Sequence, residues 1–297
     1  MQKYGVITFS YDGFDHFGKD LARHGHFTAN LGDSAQSFAA RALFKRLGHC
    51  GNVVSVDRDT LVNYEGPPVS LLMNAVFRPT CFPLPKAITP IYLGFNAKAD
   101  TLPLIAPYLK AHEPIGCRDT ATAEFLTQLG IASFVSGCVT LTLPKRQITP
   151  GTGLTYFVYG AGNGRLPMNL FNHAPPHVLD GAEIIFHRLP LFEYPLGKEQ
   201  QCAMETYEID ILHKLKNRAR LVVTPLHHVA APCMAMGIPT VICRKKADAR
   251  FSLLSQMTPI YEPETFGKID WEPAPVDVTT VAQAYVESLK RSINFQS

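Results

Sequence analysis

"VVTPLHHVAAPCMAMGIPTVIC", Val222 to Cys243, is apolar almost throughout and reads as strand, short helix and second strand. "RLVVT" (220–224) and "PTVIC" (239–243) are short β-branched runs of the kind that form buried strands. Gly237 supplies a helix stop between them. Pro232 lacks an N–H and is tolerated in the first turn of a helix, so the helix is expected to start near Ala230. Two strands joined this way form a parallel βαβ unit, the signature of an α/β fold. His227 and His228 then fall in the loop at the C-terminal end of the first strand. Ligands of open parallel sheets bind at that end.

Working outward, the same alternation recurs on both sides. "YGVITF", "NVVSVDR", "VSLLMNAVF" and "TPIYLGFNA" read as strands, as does "ASFVSGCVTLTL". "NLGDSAQSFAARALFKRLG" has Phe38, Ala39, Ala42, Leu43 and Leu47 at helical spacing, with Asp33 or Ser34 as cap and Gly48 as stop. "RDTATAEFLTQLG" gives another helix, capped by Asp119 or Thr120. The pattern lapses at "PKRQITPGTG", Pro144 to Gly153, and restarts with "LTYFVYG". We therefore expect two Rossmann-like, doubly wound α/β domains with mostly parallel sheets, 1–147 and 148–277, with the active site in the cleft between them. A C-terminal helix, 278–297, follows. Val278, Val281, Ala282, Tyr285, Val286 and Leu289 share one of its faces, which is suited to packing back across the domain interface.

The chain has 297 residues, 46% hydrophobic and 18% charged, enough to bury a large core and too apolar for a disordered protein. Its formal charge of +3 is scattered, and the one tight basic run, Arg244-Lys245-Lys246, is too short to imply nucleic acid. Seven cysteines show no CxxC pair, which points to a reducing compartment and not to a disulfide framework. "MQKYGVITFSYDGF" has no apolar signal-like region and reads as a first strand, and no window is apolar enough to span a bilayer. The expected location is the cytoplasm, with peripheral association at the inner face of the membrane allowed. Oligomeric state is left open.

Several strand-end loops could carry chemistry. In "HEPIGCRDTATAEF", Arg118 stands directly before a helix cap, where free N–H groups and the macrodipole already favour an anion. A surface pairing with Asp119 or Glu124 is its plain structural alternative. "TANLGDSAQ" turns through a glycine into a helix and is most simply an N-cap. "YGAGNGRLP" follows a strand but leads into no helix, which argues against a dinucleotide site. "RKKADARFSLL" offers Arg244, Asp248 and Arg250 at another strand end. His173 and His177 flank two prolines, and His24 and His26 lie in a turn; none suggests a metal site. Zinc at His227 and His228 is not expected, because adjacent side chains rarely share one ion and no cysteine or acid is spaced to join them.

Taken together, "NLGDSAQSFAARALFKRLG", "EPIGCRDTATAEFLTQLGI", "SGCVTLTLP", "TPLHHVAAPCMAMGIPTVIC" and "DARFSLL" resemble the polysaccharide pyruvyl transferase family, in that family's order. The resemblance implies a two-domain architecture of the GT-B type, no cofactor or required metal, and transfer of pyruvate from phosphoenolpyruvate to two hydroxyls of a sugar as a ketal. It implies that Arg118 contacts phosphoenolpyruvate and that His227 is the catalytic histidine, an acid/base group for which a pKa near neutrality would suit. The acceptor would be a sugar, sugar nucleotide or lipid-linked saccharide. By analogy with GT-B proteins, Asn30, Asp33 and Asn74 would bind it. One departure stands out: the family's Arg-Leu-His triplet reads Pro225-Leu226-His227 here. Either another cation (His228, Arg244 and Arg250 are the candidates) replaces that arginine, or donor binding is altered or lost. A glycosyltransferase using a nucleotide sugar, or a non-catalytic sugar-binding protein, are the alternatives.

Overall fold

The computed structural model describes residues 2–147 and 153–296, so part of the linker expected between Pro144 and Gly153 lies outside the described residues. Two parallel sheets organise the chain. The N-terminal one runs Val53–Asp57, Lys3–Thr8, Val69–Leu72, Ile88–Ile91. The C-terminal one runs Glu183–Phe186, Leu154–Tyr159, Ala219–Thr224, Thr240–Cys243, Ile260–Tyr261. In each sheet the first strand in chain order sits between the second and the third, so the winding reverses there. A reversal of this kind leaves a crevice beyond the C-terminal ends of the first and third strands. In the C-terminal sheet that crevice lies after Tyr159 and Thr224.

The apolar opening stretch is explained by a strand covered on both faces. Val222 and Ile242 face the large core, and Leu221, Val223, Val241 and Cys243 face a second core with Leu170, Val178 and Phe266. The large core draws on both halves of the chain. Leu31–Arg46 presents Ala39, Ala40 and Leu43 to it, and this helix packs against Lys198–Arg218 and His227–Ala235. A short antiparallel ladder, Phe27–Asn30 with Arg188–Leu191, also joins the halves, with Arg188 opposite Asn30. The C-terminal helix, Thr279–Gln296, buries Tyr285, Leu289 and Ile293, a stripe at intervals of one turn. Tyr285 Oη donates to the Leu93 carbonyl at 3.1 Å, so that stripe lies against the N-terminal half.

Three local expectations are corrected. The helix after Thr224 spans His227–Ala235, with Leu226 as its N-cap, and does not wait for Ala230. Pro232 lies inside it and costs the ladder one bond, a loss tolerated in a helix this short and this deeply packed. The histidines therefore stand in the first helical turn. Second, the segment read as the strand "ASFVSGCVTLTL" is extended only over Ser133–Val135; Gly137 takes φ 81° and Val139–Thr142 forms a 3-10 turn, in which Thr142 Oγ1 donates to the Val139 carbonyl. Finally, the cap of the Leu31–Arg46 helix is Asn30, whose side chain accepts from Gly32 N at 3.1 Å, and not Asp33 or Ser34.

Candidate functional site

A cavity of about 360 Å³ opens in the crevice of the C-terminal sheet. The turn Gly160–Gly164 forms one wall and Leu226, His227 and His228 another. Arg244, Arg250 and Phe251 come from beyond the strand Thr240–Cys243, and His187 and Arg188 from beyond Glu183–Phe186. The N-terminal half contributes Asn30, Asp33, Val76 and Arg118. Close approach of the halves depends on Gly32: a Cβ there would lie 2.6 Å from His228 Cβ. The glycine of "NLGD" is thus needed for packing on the histidine and not only for a turn.

Arg118 follows the strand Ile115–Cys117 and precedes the cap residue Asp119. The Asp119 carboxylate is occupied, accepting from Thr122 N at 2.9 Å, Thr122 Oγ1 at 2.8 Å and Asn96 Nδ2 at 2.6 Å. Its approach to Arg118 Nε is only 3.8 Å, while the arginine side chain is 2% exposed. Nε and Nη1 have no hydrogen-bond partner. Burial lowers the proton affinity of this guanidinium, with Asp119 the main opposing influence. A buried cation with open donors is costly without a counter-ion, and a carboxylate or phosphate would supply one through paired hydrogen bonds.

The two imidazoles face the same space with their rings at 5.0 Å and nearly perpendicular. His227 Nδ1 and His228 Nε2 make no hydrogen bond. Burial, then the charges of Arg118 and Arg250, push His227 well below 6.5. Burial, then His227 and Arg118, do the same to His228. Both are therefore neutral at neutral pH, which departs from the near-neutral pKa that suits an acid/base residue in the sequence reading.

The other cations are held differently. Arg244 is 3% exposed and every guanidinium nitrogen is engaged: Nε with the Lys246 carbonyl at 3.1 Å, Nη1 with the Pro225 carbonyl, Nη2 with Asp248 at 2.8 Å. Its guanidinium also lies 4.4 Å from the centre of the Phe251 ring. Arg250 grips the same Asp248 through Nε at 3.0 Å and Nη2 at 2.7 Å. One carboxylate thus serves two arginines. On the opposite wall, Asp33 accepts from Tyr11 Oη at 3.0 Å, and burial raises its pKa although Arg58 opposes this.

Of the candidates read from the sequence, Asn30, Asp33, Arg118, His227, His228, Arg244 and Arg250 line this one cavity. Asn74 does not. It is buried beyond the strand Val69–Leu72, beside Gly94, with both side-chain polar atoms unpartnered. His24, His26, His173 and His177 are exposed elsewhere. Sequence reasoning missed His187 and Arg188, which lie where the strand Glu183–Phe186 ends and Arg188–Leu191 begins. His187 Nε2 lies 2.6 Å from Glu208 Oε2, both buried. The signal was present, since a His-Arg pair directly follows the C-terminal end of the strand Glu183–Phe186, just as His227 and His228 come shortly after Thr224. It also missed the Gly160–Gly164 turn as a cavity wall; Gly162–Gly164 is a 3-10 turn, without the α-helix that a dinucleotide fingerprint needs.

The fold does supply the cysteine that spacing alone could not. Donor atoms of Cys138, His227 and His228 lie within 4.8 Å of one another, a set that could hold a soft or borderline ion. The surroundings oppose this. Burial raises the Cys138 thiol, which accepts from Thr140 Oγ1 at 3.0 Å, and the arginine charge that disfavours a proton on His227 disfavours a dication equally.

No helix among the described residues is long and apolar enough to cross a membrane. Comparison with known proteins finds no matching curated protein and no matching solved structure. The family model for polysaccharide pyruvyl transferase matches residues 30–244, well over half of the chain, from the cap at Asn30 to Arg244. The chain therefore belongs to the polysaccharide pyruvyl transferase family, transferases that act on polysaccharides.

Proposed function

We propose that this protein transfers pyruvate from phosphoenolpyruvate to two hydroxyls of a saccharide, as a ketal, with release of inorganic phosphate. The observation that carries this reading is Arg118, a buried guanidinium with open donors facing two neutral imidazoles. It is an anion site with a proton acceptor beside it. In the first step a saccharide hydroxyl bonds to C2 of phosphoenolpyruvate as C3 gains a proton. In the second, another hydroxyl bonds to C2 as the C2–O bond to phosphate breaks. Of the two hydroxyl protons, one ends on the new methyl group and the other leaves with phosphate.

A neutral His227 fits the role of relay. It takes a hydroxyl proton and returns it to C3, and a bound dianion would offset the arginine charges that hold its pKa down. Asp33 and Asn30, on the opposite wall, would face the acceptor. No step of this reaction calls for a cofactor, and peripheral contact with a membrane would follow only from a lipid-linked acceptor.

The test is release of phosphate from phosphoenolpyruvate across a panel of saccharide acceptors. His227→Gln should slow it about 100- to 10,000-fold, the usual contribution of a positioned acid/base. Turnover at the parent rate in that variant sinks the assignment. Nucleotide release from a nucleotide sugar, with no response to phosphoenolpyruvate, would instead establish a glycosyltransferase, and neither turnover would leave a saccharide-binding protein.

A further inference from the structure

The resemblance implies an arginine two residues before His227, where this chain has Pro225, and a small polyanion such as phosphoenolpyruvate carries two groups to be held. Arg118 can hold one. Arg244 is poorly placed to hold the other, because its three nitrogens already fix the Pro225 carbonyl, the Lys246 carbonyl and Asp248. Arg250 is half-exposed and tied to Asp248 in bidentate fashion. Arg188 is in a different state. It lines the cavity, yet its hydrogen bonds go only to neutral groups of Thr28: Nε to Oγ1 at 2.8 Å and Nη2 to the carbonyl. Among the described residues no carboxylate lies within 4.0 Å of it, although Asp33 on the same wall is near enough to favour its charged form against burial. Thr28 orients the guanidinium without neutralising it, and the ladder pairing of Arg188 with Asn30 fixes the backbone beneath.

We propose that Arg188 replaces the absent arginine, so that Arg118 and Arg188 form a two-point site for a small anion bearing both a carboxylate and a phosphate. The identity of that anion rests on the function proposed above; the two-point site does not. Arg188 also borders a neighbouring cavity of about 520 Å³ that shares Asn30, Asp33 and Val76 and is walled by Tyr11, Phe14 and Phe17. A guanidinium serving only that space would act on the acceptor instead, and the experiment separates the two roles.

Calorimetric titration of the full chain with phosphoenolpyruvate and with inorganic phosphate gives the readout. Arg188→Gln should weaken phosphoenolpyruvate about 10- to 100-fold, the worth of one charge-assisted contact, and phosphate less. Arg118→Gln should weaken both, and Arg188→Lys should recover part of the loss. If Arg188→Gln melts below the parent, the folded Arg188→Lys variant carries the test, with a loss of affinity short of that in Arg118→Gln expected. Unchanged phosphoenolpyruvate affinity in Arg188→Gln, or in Arg188→Lys where Arg188→Gln does not fold, overturns the proposal, including the case where only the KM for acceptor rises. If the parent binds phosphate but not phosphoenolpyruvate, the function proposed above fails. The two-point site then stands or falls on whether Arg188→Gln weakens other carboxylate-phosphate anions, with 2-phosphoglycolate as probe.

Discussion

The two parallel sheets share one strand order and end in opposite electrostatic states. Beyond the N-terminal sheet, the charges answer one another. Asp57 accepts from Ser10 N and Oγ at 2.9 and 2.6 Å, and Asp59 holds Arg58 at 2.7 Å, Arg78 at 3.0 Å and Tyr11 N at 2.8 Å. In the cavity beyond the C-terminal sheet, Arg118 has open donors, one nitrogen of each of two imidazoles is unpartnered, and one Asp248 is shared by two arginines. The same topology provides a crevice in both places. Open atoms occur in both, at the Asn74 amide and Arg78 Nε in the first, but in the second they belong to a guanidinium and two imidazoles lining one cavity, and such a polar wall is what a ligand can complete.

That contrast can be broken from either side. The largest effect should come from the closed network: Asp59→Ala leaves Arg58 buried and unpaired, and denaturant unfolding should show a loss of about 3–5 kcal/mol. A loss below about 1 kcal/mol would mean that the network is not what holds those loops. On the open side the sign should reverse. Arg118→Met removes a buried charge whose one near carboxylate, Asp119, stands 3.8 Å away and is occupied by other donors, and should raise the melting point of the ligand-free protein, by the equivalent of about 1 kcal/mol or more. It should also abolish any rise caused by added phosphate. A lower melting point in Arg118→Met would show that the guanidinium is already satisfied.

The smallest effect concerns pH. Because folding depresses the pKa of His227 and His228, the unfolded chain binds more protons than the folded one below about 6.5. Their contribution is complete above that pH and is lost as pH falls toward the folded values, by at most about 1.4 kcal/mol per pH unit for each group. His228→Asn should flatten this part of the profile, and saturating phosphate should narrow it from its low-pH end by partly restoring proton affinity to His227. An unchanged slope in His228→Asn would place the pH dependence elsewhere.

What could be read in the sequence follows the range of the interactions involved. Strand and helix alternation, the helix after Arg118 and the strand-end placement of the histidines depend on neighbours a few residues apart, and all were legible. The start of the His227 helix was misread because Pro232 was weighed by its local penalty alone, while Val229, Ala230 and Cys233 are fully packed and favour the longer helix. Arg188 was hidden in an amphipathic strand whose partner, Asn30, is far away in the chain. Cys138 beside the histidines is likewise a product of tertiary folding. Asn74 was named only by analogy with the GT-B arrangement, and no property of its own sequence neighbourhood pointed to the cavity.

The Arg188–Asn30 pairing also bears on how such chains can be recombined. Because Phe27–Asn30 and Arg188–Leu191 form one ladder and both reach the cavity, the chain's midpoint is a poor junction for chimeras between relatives. A graft that exchanges the C-terminal half would bring a foreign edge to Thr28 and misdirect the guanidinium it orients. A donor fragment should therefore carry both ladder strands, so that the heritable unit of anion recognition is a pair of segments far apart in sequence.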